Sequence, residues 1–89
     1  MSEETDSLLE FPCRFPIKAM GKNMNDFDAL VVEIVRRHVG DLHESAVTSR
    51  PSSGGAYMAV TVVIEASSRS QLDNIYQELS ANPAVLMAL

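Results

Sequence analysis

Residues 13 to 20 alternate along the chain, with Phe15, Ile17 and Ala19 on one side and Arg14, Pro16, Lys18 and Met20 on the other. A period of two is what a half-buried strand requires, because successive side chains leave opposite faces of the pleat. Pro16 has no N–H to give to a ladder, so it must lie near the strand start or point its nitrogen away from a neighbour. After Gly21 to Asn25 the period changes. Phe27, Leu30, Val31, Ile34, Val35 and His38 recur at helical spacing and predict a helix over 26 to 38. Asn25 is the expected N-cap, with Asp26 and Asp28 in the first turn and Arg36, Arg37 and His38 in the last, ahead of Gly40. These acids and bases complement the two ends of the helix dipole. Glu33 and Arg37 stand four apart on the solvent side, a pairing that adds about 0.2–0.5 kcal/mol.

The second half repeats the alternation and the helix. His43 to Arg50 reads as a weak strand anchored by Val47, and Pro51 to Gly55 as a flexible connection of hairpin length. Ala56 to Ala66 is the strongest strand. Met58, Val60, Val62, Ile64 and Ala66 share one face, Tyr57, Ala59, Thr61, Val63 and Glu65 the other, and so apolar a segment belongs in the middle of a sheet. Ser68 with Gln71 three residues later is a capping-box pattern, opening a helix over 69 to 81 with Leu72, Ile75, Tyr76 and Leu79 as its buried stripe. Asn82 and Pro83 end it. Ala84 to Leu89 closes the chain as a short strand, with Val85, Met87 and Leu89 expected inside and Leu86 and Ala88 outside.

The order strand–helix–strand–strand–helix–strand is the split βαβ arrangement, an α+β sandwich of two layers with both helices on one face of a four-stranded antiparallel sheet. Right-handed crossovers give strand order 4-1-3-2, which places the first and third strands centrally and the weak second strand at an edge. Burial of Phe15, Ile17, Val60, Val62, Ile64, Val85 and Met87 against the helices, at about 1.5–3 kcal/mol each, would outweigh the weak local propensities.

Composition narrows the functional classes. Eighty-nine residues, 46% hydrophobic and 21% charged, make one domain, expected to span 8–89 behind a disordered acidic tail at 1–7. No uninterrupted apolar run is long enough for a membrane helix. The first ten residues carry Glu3, Glu4, Asp6 and Glu10 and no base, unlike a secretory leader. With Cys13 as the single cysteine, an internal disulfide is impossible, and a cytoplasmic setting is expected. Net charge is −5, but beyond residue 10 seven bases face eight acids. Arg14, Lys18, Lys22, Arg36, Arg37, Arg50 and Arg69 are spread along the sequence, which disfavours nucleic acid as a partner. Leu8, Leu9 and Phe11, ahead of Pro12, form a short apolar cluster expected to dock on the domain.

The segments Leu8-Leu9-Glu10-Phe11-Pro12, Met20-Gly21, Val32-Glu33-Ile34-Val35 with Arg37-His38, Pro51-Ser52-Ser53 before Tyr57, and Glu78-Leu79 together resemble the YbeD-like family of small bacterial proteins. The resemblance runs from about Leu8 to Leu89. It implies a ferredoxin-like fold similar to the ACT-type regulatory domains of amino-acid enzymes and a cytoplasmic setting. It brings no catalytic residues.

The fold hosts several chemistries, and each needs its own residues. Acylphosphatase-like hydrolysis needs an arginine in the first strand–helix loop, where this chain has Lys22 and Asn23, and a lysine lacks the guanidinium fork. Metal chaperones of this shape need two cysteines in that loop. RNA-recognition modules need stacking aromatics on the middle strands, and only Tyr57 qualifies. Cys13, His38 and His43 do not converge by spacing, so no metal and no cofactor is expected. Ser52 to Gly55 leads into a strand and lacks the helix dipole that makes a phosphate loop effective. Two candidates remain. Gly21, Lys22 and Asn23 form a candidate loop for an amino acid or similar small anion, as in an ACT-like sensor. Lys18, Met20, Tyr57, Ala59, Thr61, Val63, Leu86 and Ala88 form a mildly apolar surface on the uncovered side of the sheet, suited to a second copy or another protein. A non-enzymatic regulatory or interaction module acting through its open sheet face or an edge strand is the leading expectation, with an ACT-like sensor as the alternative and an uncharacterised enzyme as the second.

Overall fold

A computed structural model describes residues 10–24 and 26–89. The expectations for the acidic tail and for Leu8 and Leu9 fall outside that range, as does Asn25 itself. The first helix has Asp26, not Asn25, at its N-cap position, without a side-chain cap bond, which leaves Asp28 as the acid of its first turn. Strand β1 runs Cys13–Lys22, helix α1 Phe27–Val39, β2 Val47–Pro51, β3 Tyr57–Ala66, helix α2 Arg69–Ala81 and β4 Val85–Ala88, with a 3-10 turn at Glu44–Ala46. The sheet order is β2-β3-β1-β4 and every pairing is antiparallel. This is the ferredoxin-like α+β sandwich, with the central pair and the weak edge where the hydrophobic pattern put them. None of the described helices is long and apolar enough to cross a membrane.

One core explains the layering. Ile17 and Ala19 from β1, Val60, Val62, Ile64 and Ala66 from β3 and Val85 from β4 share the covered side of the sheet. Against them lie Phe27, Val31, Ile34 and Val35 of α1 and Leu72, Ile75 and Leu79 of α2. Both helices therefore sit on one side. Phe11 packs against the same cluster, so this part of the N-terminal apolar group does dock on the domain.

Local chemistry fixes the element ends. The Ser68 hydroxyl accepts the Gln71 N–H at 3.1 Å, and Gln71 Oε1 accepts the Ser67 N–H at 2.8 Å, one residue earlier than the reciprocal bond of a capping box. Gln71 Nε2 also donates to the His38 carbonyl at 3.1 Å, so one side chain opens α2 and closes α1. Lys18 exchanges both main-chain hydrogen bonds with Leu89 (3.0 and 2.7 Å), so the N–H side at even-numbered β1 positions faces β4. Pro16 thus aims its nitrogen past Leu89, away from β3, and costs the central ladder nothing.

Three expectations need correction. The second strand starts at Val47, not His43, because His43 Nδ1 accepts from the Ser45 N–H (3.2 Å) and hydroxyl (2.9 Å), folding 44–46 into a turn. Strand β1 continues through Gly21 and Lys22, which pair with Met58 and Tyr57. The third concerns β4. Gly21 pairs with Val85 but Met20 pairs with Met87, so Leu86 is an extra, bulged residue and the inside–outside parity reverses after it. Met87 and Leu89 are consequently exposed, whereas Ala88 pairs with Ala19 and packs against the core. Ala88 therefore does not belong to the uncovered face.

Candidate functional site

Register sets the composition of the uncovered face. Arg50, Ala59, Met20 and Met87 line up across the four strands in one row. Thr48, Thr61, Lys18 and Leu89 form the next. Tyr57 and Val63 extend the face along β3, opposite Lys22 and Pro16. Lys18 is exposed, Met20, Ala59, Thr61 and Val63 are half-buried, and Tyr57, Met87, Leu86 and Leu89 are exposed by 45, 51, 59 and 62%. The bulge gathers Leu86 and Met87 beside Met20 at one end of the face. Of the residues expected here, all but Ala88 are in place, and Met87 and Leu89 join them.

Charge is segregated between the two sides. Arg14, Lys18, Lys22 and Arg50 all occupy uncovered-face positions, where Glu65 opposite Arg14 is the single acid among the described residues. The helix side matches its cations. Arg36 pairs with Asp41 (3.2 Å), Arg37 with Glu33 (3.3 Å) and with Glu78, and Arg69 with Asp73 (3.6 Å). His38 Nε2 donates to Glu78 Oε1 at 2.8 Å. That hydrogen bond, with the positive charge of Arg37 added, holds the Glu78 carboxyl below its ordinary range against the opposing effect of burial. On α2, Tyr76 donates its hydroxyl to the Leu89 main-chain oxygen at 2.7 Å, and burial raises its pKa. These contacts tie the helices to each other and to β4.

The three residues of the candidate ligand loop are differently employed. Gly21 is buried within β1, and a Cβ there would overlap the Ala84 carbonyl oxygen and the Phe27 ring. Lys22 is an exposed strand residue. Asn23 binds the hairpin before β3, its side chain donating to the Gly55 carbonyl at 2.9 Å and its main-chain N–H to that of Ala56 at 3.1 Å. The space above the glycine is thus already filled by protein. Cys13, His38 and His43 lie on separate elements, and among the described residues no three His, Cys, Asp or Glu side chains gather as a metal site.

A hollow of about 300 Å³ lies where β2 stops short of the end of β3, lined by Arg14, Ser45, Ala46, Val63, Ile64 and Glu65. It is open to solvent along the sheet margin. Among its lining only Arg14 and Glu65 ionise. Its one hydroxyl, Ser45, is hydrogen-bonded to His43 Nδ1 at 2.9 Å, and the same nitrogen accepts the Ser45 N–H and so caps the 3-10 turn.

The family model described as "Protein of unknown function (DUF493)" matches residues 6–89. The chain belongs to the DUF493 family. Its relatives include UPF0250 proteins of Chromobacterium violaceum, 51% identical over 89 residues, and Paraburkholderia phytofirmans, 47% identical over 89 residues, each aligned over 100% of both chains. The UPF0250 protein of Neisseria gonorrhoeae is 42% identical over 87 residues, covering 98% of this chain and 96% of its own. These bacterial homologues agree with the YbeD-like resemblance read from the sequence. The solution structure of protein HP0495 from H. pylori superposes with a TM-score of 0.69 over 91% of this chain and 85% of that one, at 17% identity. HP0495 therefore shares the DUF493 chain's fold. None of these names states a reaction or a ligand, so the DUF493 chain's function must be argued from its own surface.

Proposed function

We propose that this chain is a small, non-enzymatic interaction module that docks a second copy or another protein against the uncovered face of its sheet. The observation that carries this reading is the clustering of Met20, Leu86, Met87 and Leu89 at one end of a sheet face that neither described helix covers. The bulge turns Met87 and Leu89 outward, so the apolar side chains of β4 enlarge this face rather than the core. Burial of Leu86, Met87 and Leu89 would contribute about 1.5–3 kcal/mol each, comparable in sum with the cost of immobilising a partner. Such a face can anchor a complex provided other contacts add to it. Light scattering across a concentration series, together with capture from the native cytosol, tests the reading using wild type, Val63→Lys and Leu86→Lys. Association that is lost in the variants is the expected result. A chain that stays monomeric and whose variants keep every partner of the wild type would remove it.

A further inference from the structure

Charge on the same face narrows the chemistry of what it docks. The chain carries −5 overall, yet Arg14, Lys18, Lys22 and Arg50 all lie on the uncovered side. None of the four forms an ion pair with a described residue, whereas the arginines of the helix side are matched by acids. Folding does not require this arrangement, since exposed charges contribute little to stability and like charges gathered on one surface repel. Lys18 and Arg50 sit in adjoining cross-strand rows that also hold Met20 and Met87, so cations flank a thioether surface that adapts to irregular shapes.

Resting on the interaction reading above, we propose that this face receives an acidic segment of another protein that carries aliphatic anchors. The anchors seat on Met20, Leu86 and Met87, and the carboxylates face Lys18 and Arg50. A nucleic acid would meet the same charge but not the same surface. Bases need aromatic platforms on the middle strands, and the positions there are Met20, Ala59, Thr61 and Lys18, with Tyr57 at one corner.

Fluorescence anisotropy on the full chain tests the proposal with a short labelled peptide alternating Glu and Leu. The comparators are a peptide with Lys in place of Glu, one with Ser in place of Leu, and a single-stranded RNA. The Glu/Leu peptide alone should bind, and binding should weaken as salt rises. Lys18→Glu with Arg50→Glu should weaken it about tenfold or more, while Arg36→Glu on the helix side leaves it unchanged. Circular dichroism confirms that each variant is folded. Failure of the Glu/Leu peptide to bind, or binding indifferent to Lys18→Glu and Arg50→Glu, overturns the acidic partner. The interaction reading would still stand if Val63→Lys abolishes association. Tighter binding of the RNA overturns the proposal in favour of nucleic acid. Peptide binding that emerges only in the chain carrying Glu3→Gln, Glu4→Gln and Asp6→Asn overturns it in favour of this chain's own N-terminal segment as occupant.

Discussion

Replacing Gly21 by alanine adds one methyl group at the point where β1, β4 and α1 meet. Gly21 pairs with both Met58 and Val85, and the new Cβ would point at the Ala84 carbonyl oxygen and at the Phe27 ring, whose Cζ would lie 2.7 Å away against the 3.4 Å or more of ordinary contact. Phe27 is fully buried and has nowhere to swing, and the Ala84 oxygen is main chain, set just before the Val85 that pairs with Gly21. Overpacking of this kind costs about 1–3 kcal/mol, and a clash with main chain puts it near the top of that range. A domain of this size has roughly 4–13 kcal/mol of stability, so the variant should remain folded. With a urea slope of about 1 kcal/mol per molar, the unfolding midpoint should fall by about 2–3 M. Gly40→Ala separates strain from packing: φ 82° with ψ −149° is a conformation nearly reserved for glycine, but no atom lies within 4 Å of the new methyl, so its loss of about 1–3 kcal/mol comes from the backbone alone. Phe27→Leu on the Gly21→Ala background should recover only part of the loss, since the Ala84 oxygen remains. A Gly21→Ala variant within about 0.5 kcal/mol of wild type would refute the packing described here.

Gln71→Ala should lower stability by about 1–2 kcal/mol in chemical denaturation, because it frees the Ser67 N–H and the His38 carbonyl together. The Glu78 carboxyl is held below its ordinary range by His38 and Arg37, so its contribution is present above its unfolded value, near pH 4.3, and lost as pH falls through the lower folded value. Its partly exposed pairs limit that contribution to about 0.5–1 kcal/mol, and Glu78→Gln should flatten the stability–pH curve as pH falls below that unfolded value. Leu86→Lys should leave the unfolding midpoint within the range of surface changes, whereas Ala88→Lys drives an ammonium toward the core and should cost about 3 kcal/mol or more. The reverse ranking in thermal melts would mean that the β4 bulge is absent.

The architecture was legible because its signals were local and periodic. Phe15, Ile17 and Ala19, the Phe27 to Val35 stripe and the Met58 to Ala66 run each state their own buried side, and tertiary pairing agreed with all three. The β4 parity was not legible. A bulge depends on how Gly21 accommodates Ala84 across the sheet, which the alternation of six residues cannot reveal, and so Met87, Leu89 and Ala88 were assigned to the wrong sides. The 3-10 turn at Glu44–Ala46 was hidden because a histidine side chain replaced the usual N-cap residues. The helix-to-helix contacts of Glu78 and Gln71 also escaped, since partners 33 to 41 residues apart leave no mark on sequence spacing. The alternation of the first strand places Arg14 and Lys18 on the face of Pro16 and Met20, and Lys22 joins them only because β1 continues through Gly21.

Methionine oxidation tests the working surface most directly, because Met87 lies on the uncovered face whereas Met24, nearly as exposed, lies at the entry to α1. Peroxide oxidation rates of the two, read by mass spectrometry, should be similar in the purified chain diluted to monomer and should diverge in a native cell extract, with Met87 protected and Met24 unchanged. Equal oxidation of Met87 in both settings would contradict an occupied sheet face.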